Sequence, residues 1–320
     1  MKPMTDHVLE VRDLCVEFTT LHGITRAVRG VSFDLPRGKT LALVGESGSG
    51  KSVTSYSILR LIQKPGEIVG GQILFHPKDG PVVDIAQLSP KSDELYRIRG
   101  GKISMIFQEP MTALSPVHTI EDQITEAILL HRNVTKKQAI DLAAEMLEKV
   151  GITQVQQRLK QYPFEFSGGM RQRVVIAMAL VCQPEILIAD EPTTALDVTV
   201  QAQILSLIRH LREQMNTSVL FITHDLGVVA QIADEVAVMR YGVIVERTSA
   251  RQLFTMPLHP YTRELLRAAS LGRERDFPPV QQLVGLPDGW QFDEPAGNGV
   301  CQMFEVEPGR HLLMWKGDNA

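Results

Sequence analysis

Eight consecutive residues, Gly45, Glu46, Ser47, Gly48, Ser49, Gly50, Lys51 and Ser52, satisfy the pattern G-x-x-x-x-G-K-[ST] at every position. The pattern has a mechanism. Its glycines let backbone N–H groups close around phosphate oxygens, its lysine reaches the terminal phosphates, and its last hydroxyl is placed to ligate Mg²⁺. The flanks fit: residues 40–44 are a short apolar run suited to a buried strand, and residues 52–62 are predicted to begin a helix whose N-terminus faces the anion. A glycine-rich turn that matches by chance is the alternative, and it does not account for those flanks.

Composition narrows the class around that loop. At 320 residues, 44% hydrophobic and 22% charged, the chain has the make-up of a globular protein with one large domain or two smaller ones. A formal net charge of −4 gives no broad basic field, so nucleic acid is not the expected partner. Cys15, Cys182 and Cys301 are isolated and suit reduced thiols of a cytosolic protein better than a disulfide framework. No apolar run approaches the roughly 18 residues that span a bilayer, and residues 1–11 are charged rather than signal-like. The polypeptide is therefore not expected to cross a membrane by itself, which leaves docking on a separate membrane protein open.

Residues 8–18 and 27–35 read as strands, and Pro36-Arg37-Gly38 as the turn into the strand before the phosphate loop. Phe18 is placed either to stack on a nucleobase or, as aromatics in strands commonly do, to fill the core. Residues 70–75 resemble another strand, residues 76–89 a polar loop, and residues 103–107 a short apolar run ending at Gln108. A helical pattern follows from 120 to 151. Thr135 and Gln138 have capping-box spacing, Ala139, Leu142, Ala143, Met146, Leu147 and Val150 form one stripe, and Gly151 is placed to end the helix. We read a mainly helical insertion over about residues 109–182.

Phe166-Ser167-Gly168-Gly169-Met170 precedes a predicted helix over 171–181, and residues 185–189 give a buried strand ending in Asp190 and Glu191. A helix resumes after Pro192, with Val200, Ile204, Leu207, Ile208, Leu211 and Met215 on one face. Residues 218–223 form another buried strand that delivers His224 to its C-terminal end, the edge where open α/β sheets bind ligands. Strands at 235–240 and 243–246 and a helix from near Pro260 come next. Beyond a main domain of residues 1–270, prolines and glycines punctuate residues 271–320 heavily, which predicts a small irregular C-terminal extension.

Phosphate binding becomes hydrolysis only with a metal carboxylate, a water-orienting group and a sensor of the γ-phosphate. Asp190 closes an apolar strand, as a Mg²⁺-supporting carboxylate should, and Glu191 beside it is placed to polarise water. Two carboxylates after a strand are also a common helix-start signal. His224 reads either as a surface histidine or as a donor to a γ-phosphate oxygen, and Gln108 as a partner of Mg²⁺ or its water. The turn at Ser167, Gly168 and Gly169 is a second anion cradle. One nucleotide does not need two, so the second is expected to serve the nucleotide of another subunit.

With its motifs in this order the chain resembles the ATP-binding subunits of ABC transporters over roughly residues 8–269. The resemblance implies an α/β P-loop NTPase of ABC type, with an N-terminal antiparallel β subdomain and a helical subdomain. On that likeness residues 45–52 are the Walker A loop, Gln108 the Q-loop glutamine, residues 166–170 the signature and residues 186–190 the Walker B strand. Glu191 is the catalytic glutamate, Ala195, Leu196 and Asp197 the D-loop, and His224 the switch histidine. Phe18 matches the adenine-stacking position, where the family more often has Tyr.

The stretches Gly45 to Thr54, Gln108 to Pro116, Phe166 to Arg173 and His259-Pro260-Tyr261-Thr262 are similar to the oligopeptide, dipeptide and nickel importer branch. That branch implies ATP and Mg²⁺, a second ATPase subunit, two transmembrane permease subunits whose coupling helices meet the helical insertion, and an extracytoplasmic solute-binding protein. It also implies a peripheral position on the cytoplasmic face of the membrane. Met170 replaces the more widespread glutamine of the signature, as is usual in the branch. Many relatives carry several closely spaced cysteines in the extension, implicated in an iron–sulfur cluster. Cys301 alone cannot supply a Cys₄ set, so no cluster is expected, and the inference to a peptide substrate weakens. A soluble ABC ATPase acting on DNA or ribosomes, and an ATP-binding module that never turns over, are the alternatives. The solute, and whether the partner ATPase is a second copy, stay open.

Overall fold

The structure, a computed structural model, describes residues 6–21, 23–108, 113–194, 196–269, 277–292 and 299–317. Residues 109–112 after Gln108, Ala195 of the D-loop and parts of the C-terminal extension lie outside them.

Apolar side chains on one face hold the first strands together. β1 (His7–Thr20) buries Leu9, Val11, Leu14 and Val16, and β2 (Gly23–Pro36) buries Val28, Val31, Phe33 and Leu35. β3 (Thr40–Val44) passes into a second sheet, while β4 (Gly66–Phe75) and the short β5 (Val83–Asp84) complete a four-stranded antiparallel sheet ordered β2-β1-β4-β5. The second sheet adds β6 (Ile103–Ile106), β7 (Ile186–Asp190), β8 (Ser218–Thr223), β9 (Glu235–Arg240), β10 (Val243–Ser249), β11 (Gly299–Glu307) and β12 (Arg310–Gly317). Its order is β11-β12-β10-β9-β3-β8-β7-β6, parallel from β9 to β6 and antiparallel from β9 outward.

β3, β7 and β8 are buried along their whole length, as parallel strands covered on both faces must be. Their period of two divides the interior. Leu41, Leu43, Leu220 and Ile222 join the core under the four-stranded sheet with Leu9, Phe33 and Phe75, whereas Val219 and Phe221 join the helical core on the other side.

The short α1 (Lys51–Ile58) follows β3, and α2 (Asp93–Ile98) precedes β6. α3 (Ile120–His131), α4 (Lys136–Lys149), α5 (Val155–Leu159), α6 (Gly168–Leu180) and α7 (Val198–Met215) gather Ile124, Ile128, Leu147, Ile176 and Ile208 into that helical core. The capping box of α4 forms as its sequence predicts: Gln138 N–H donates to Thr135 Oγ1 at 3.3 Å and Thr135 N–H to Gln138 Oε1 at 2.8 Å. α8 (Leu226–Ile232), α9 (Ala250–Thr255) and α10 (Pro260–Ala269) form a separate cluster around Ala42 and Val44, on the sheet face that also carries Phe221, and α11 (Val280–Leu283) lies in the extension.

The extension differs from its irregular reading. Residues 299–317 form a hairpin whose strand β12 pairs with β10, so they prolong the main sheet. Pro308 and Gly309, which look like breaks in the sequence, are the two residues of the hairpin turn, with Gly309 at φ 72°. A buried charge pair fixes the hairpin: Arg310 stands 3.3 Å from the Glu246 carboxylate, both side chains being fully inaccessible to solvent. The same carboxylate accepts the backbone N–H groups of Leu258 at 3.0 Å and His259 at 2.9 Å.

Removing one member of such a pair strands the other in the core. Arg310→Ala is expected to destabilise the chain by about 3–5 kcal/mol, read from urea unfolding. Arg26→Ala, which breaks the exposed pair with Glu17, should cost no more than about 1 kcal/mol.

Candidate functional site

The parallel register sets Val44 opposite Thr223 and Asp190 opposite Ile222, so Gly45, Glu191 and His224 leave β3, β7 and β8 at one edge of the sheet. There they line a cleft of about 420 Å³ together with Glu46, Ser47, Gln108, Leu226 and Leu265. Close packing dictates two of the loop glycines. A Cβ at Gly45 would stand 2.1 Å from the Met239 carbonyl oxygen and one at Gly50 2.5 Å from that of Ala27, with φ at 153° and 104°.

Lys51 is 6% exposed, and its Nζ donates to the carbonyl oxygens of Gly45 and Glu46, both at 2.8 Å, with Ser49 Oγ at 3.4 Å. Burial holds its pKa below that of an ordinary lysine, against the opposite pull of Glu191, Asp190 and Glu46. An ammonium satisfied by neutral carbonyls of its own loop is poised to exchange them for charged phosphate oxygens, which bind it more strongly.

Asp190 is fully buried at the end of β7. Its Oδ1 accepts from Ser52 Oγ at 3.2 Å and its Oδ2 from Ser55 Oγ at 3.5 Å. Burial pushes its carboxyl from 3.8 up to about 6, the Ser52 hydrogen bond opposing. A hydroxyl and a carboxylate in contact are hard oxygen donors of the kind Mg²⁺ takes, so the residues present fit that ion.

Glu191 collects the remaining polar groups. Its Oε1 accepts from His224 Nδ1 at 2.8 Å, and its Oε2 accepts from Gln108 Nε2 and Thr194 Oγ1, each at 3.1 Å. Burial alone would raise its pKa, but the hydrogen bonds from His224, Thr194 and Gln108 outweigh it and hold the carboxyl below the ordinary range. Glu191 has φ 46°, a left-handed conformation that costs a non-glycine residue about 1–2 kcal/mol. Its N–H donates to the Ile222 carbonyl at 2.9 Å, which ties that strained peptide to β8.

Gln108 lines the cleft with a partner other than the expected metal site, Phe18 does not line it, and the turn expected to serve another subunit's nucleotide lies outside it. Gln108, expected at the metal, bonds Glu191 and makes no contact of that kind with Ser52 or Asp190. Phe18 is not among the residues lining the cleft; its ring lies over Gly66, where a Cβ would come within 2.6 Å of it. Ser167 and Gly168 are exposed at the N-terminus of α6, Gly169 is half-buried behind them, and Asp197 is exposed as the N-cap of α7, accepting from Val200 N–H at 2.9 Å. None of these four lines the cleft.

The sequence reading missed Thr194, Ser55 and the cleft side chains Leu226 and Leu265. Thr194 had a signal, since it follows Glu191 by three residues in a turn, and Ser55 had the three-residue spacing from Ser52 that places both on one side of a helix. Leu226 and Leu265 had none, because an apolar residue in a helix reads as core.

Residues 28–194 match the family described as ABC transporter. The chain is 55% identical over 316 residues to the dipeptide transport ATP-binding protein DppD of Bacillus subtilis, covering 96% of this chain and 92% of that protein. It is 54% identical over 311 residues to the oligopeptide transport ATP-binding protein OppD of the same organism, covering 94% and 84%. This chain belongs to the ABC transporter family. Among solved structures, the dimeric ATP-binding cassette MJ0796 bound to ADP and Pi superposes with a TM-score of 0.66 at 25% identity, over 76% of this chain and 99% of that one. As an ABC ATPase the chain binds ATP and couples its hydrolysis to transport.

The buried Asp190 makes the nucleotide-free ATPase sensitive to pH. Folding raises its carboxyl from 3.8 to about 6, so the protonated form stabilises the fold fully below the lower value. That contribution, about 3 kcal/mol, is lost as the pH rises through the upper one. Without nucleotide, Asp190→Asn should therefore melt above the unsubstituted chain at neutral pH, with the gap closing as the pH falls towards the lower value. Its ATP turnover should be lost.

Proposed function

We propose that this chain is the ATP-hydrolysing subunit of an importer that takes up a peptide-like or related small solute through separate permease subunits. The observation that carries this reading is the 55% identity to a dipeptide transport ATP-binding protein across 96% of the chain. Among the described residues no helix is long and apolar enough to cross a membrane, and the proposal assigns that passage to two permease subunits. An extracytoplasmic binding protein selects the solute, and the chain sits peripherally on the cytoplasmic face.

In the cycle we infer, Lys51 and the amides of Gly48, Ser49, Gly50 and Ser52 hold the phosphates of ATP, and Phe18 lies under the base. Ser52 and Asp190 hold Mg²⁺, with Gln108 the third residue assigned to it; when bound, the ion neutralises phosphate charge. Glu191 accepts a proton from the attacking water, a role that suits a carboxyl held ionised by its hydrogen bonds. His224 donates to Glu191 in the nucleotide-free chain and to a γ-phosphate oxygen when ATP is present. Ser167, Gly168 and Gly169, with Asp197, complete the site of a second ATPase subunit, and their exposure away from this chain's own cleft supports that assignment. Cys301 is the extension's sole cysteine, and the reading includes no iron–sulfur cluster.

Glu191→Gln tests the central role. ATP should bind with near-normal affinity and closed dimers should accumulate, while turnover falls by about 10²-fold or more. Turnover within a few-fold of normal would remove Glu191 from the base role. Copurification from membranes with two permease chains is expected; stable isolation with DNA or ribosomes instead would overturn the transport reading.

A further inference from the structure

Helix α10 brings the His259-Pro260-Tyr261-Thr262 stretch against the phosphate loop. Tyr261 Oη accepts a hydrogen bond from the backbone N–H of Glu46 at 3.3 Å, and Leu265, one turn further along, lines the cleft. The carbonyl of the same Glu46 accepts from Lys51 Nζ at 2.8 Å. The Glu46 residue is thus held on its amide by a phenol from outside the loop and on its carbonyl by the loop's own lysine.

The phenol is itself fixed. Tyr261 is 4% exposed, and the Arg240 guanidinium lies over its ring at 4.8 Å. Its backbone N–H donates to His259 Nδ1 at 3.1 Å. The His259 and Leu258 amides donate in turn to the Glu246 carboxylate, which pairs with Arg310 of β12. A continuous set of hydrogen bonds therefore runs from the C-terminal hairpin to the leading limb of the phosphate loop.

The restraints on either side of Glu46 have different fates when nucleotide arrives. Phosphate takes the Lys51 ammonium; the Gly45 carbonyl loses that donor, and the Glu46 carbonyl keeps only the Ser49 N–H at 3.2 Å. Gly48, around which nothing lies within 4 Å of where a Cβ would stand, gives the loop backbone freedom, so a limb released in that way has entropy to lose again for phosphate to be held. We propose that Tyr261 is a positioning residue for ATP binding: it keeps the Gly45 and Glu46 limb in its phosphate-receiving shape when Lys51 leaves it, so that the C-terminal segment sets nucleotide affinity. The proposal rests on residues 45–52 being the ATP cradle.

Tyr261→Phe keeps the ring and its stacking on Arg240 and removes only the acceptor. In equilibrium binding of ATP to the full-length chain, this variant should bind roughly three- to tenfold more weakly, the effect of one lost hydrogen bond. In the assembled transporter KM for ATP should rise by more than kcat falls, while the protein without nucleotide melts only slightly lower. A purely structural role for the ring predicts no change in affinity. Arg310→Met, which cuts the far end of the connection, should weaken ATP binding in the unsubstituted chain and add little in Tyr261→Phe, the non-additivity expected of residues acting through one path. If Arg310→Met does not fold, Tyr261→Phe alone decides. Unchanged ATP affinity in Tyr261→Phe, with binding lost in Lys51→Ala, overturns the proposal and leaves the cradle standing. Unchanged affinity in Lys51→Ala as well would overturn the cradle assignment itself.

Discussion

The site depends on which residue of each parallel strand stands opposite which. β3 and β8 are aligned so that Val44 meets Thr223, and β8 and β7 so that Ile222 meets Asp190. A slip of one residue in β8 would send Leu220 and Ile222 into the helical core and Val219 and Phe221 under the antiparallel sheet, exchanging every buried side chain of the strand. It would also carry His224 away from Glu191, which it contacts at 2.8 Å. The alternation that separates two hydrophobic cores therefore also sets the spacing of the polar groups at the sheet edge.

At that edge two neighbouring carboxyl groups are driven in opposite directions. Asp190, sealed from solvent with two serine hydroxyls for company, has its carboxyl pushed up to about 6; Glu191, half-buried and accepting three hydrogen bonds, is held low. Environments that separate the pKa values of adjacent acids also separate their tasks. Of two adjacent acids, one is thus pushed towards its neutral form and the other is held ionised. Lys51 meanwhile donates to backbone carbonyl oxygens of its own loop.

What the sequence made legible was local. The phosphate loop, Asp190, Glu191, His224 and Gln108 each sit where an apolar run stops, and strand ends are readable because burial ends there. The capping box at Thr135 and Gln138 and the apolar stripe of α4 were readable for the same reason, since their partners lie within four residues. Contacts made by the fold alone were not. Tyr261 reaches Glu46 across 215 residues of chain, and Glu246 meets Arg310 across 64, with no periodicity to announce either. The hairpin was hidden because a proline and a glycine at a strand-to-strand turn look like the same residues in an irregular tail. Phe18 was legible as an aromatic in a strand, and its packing over Gly66 needed the pairing of β1 with β4.

The hairpin also changes where the main sheet ends. β12 pairs with β10 at Glu246 and Arg247, and the rim moves out to β11. That outer strand is interrupted by a register shift between Glu305 and Glu307, and Val300 on it is exposed. Irregular, charged edges resist the strand-to-strand joining through which sheets from different molecules associate. The C-terminal segment thus moves the edge of the largest sheet from β10 to β11.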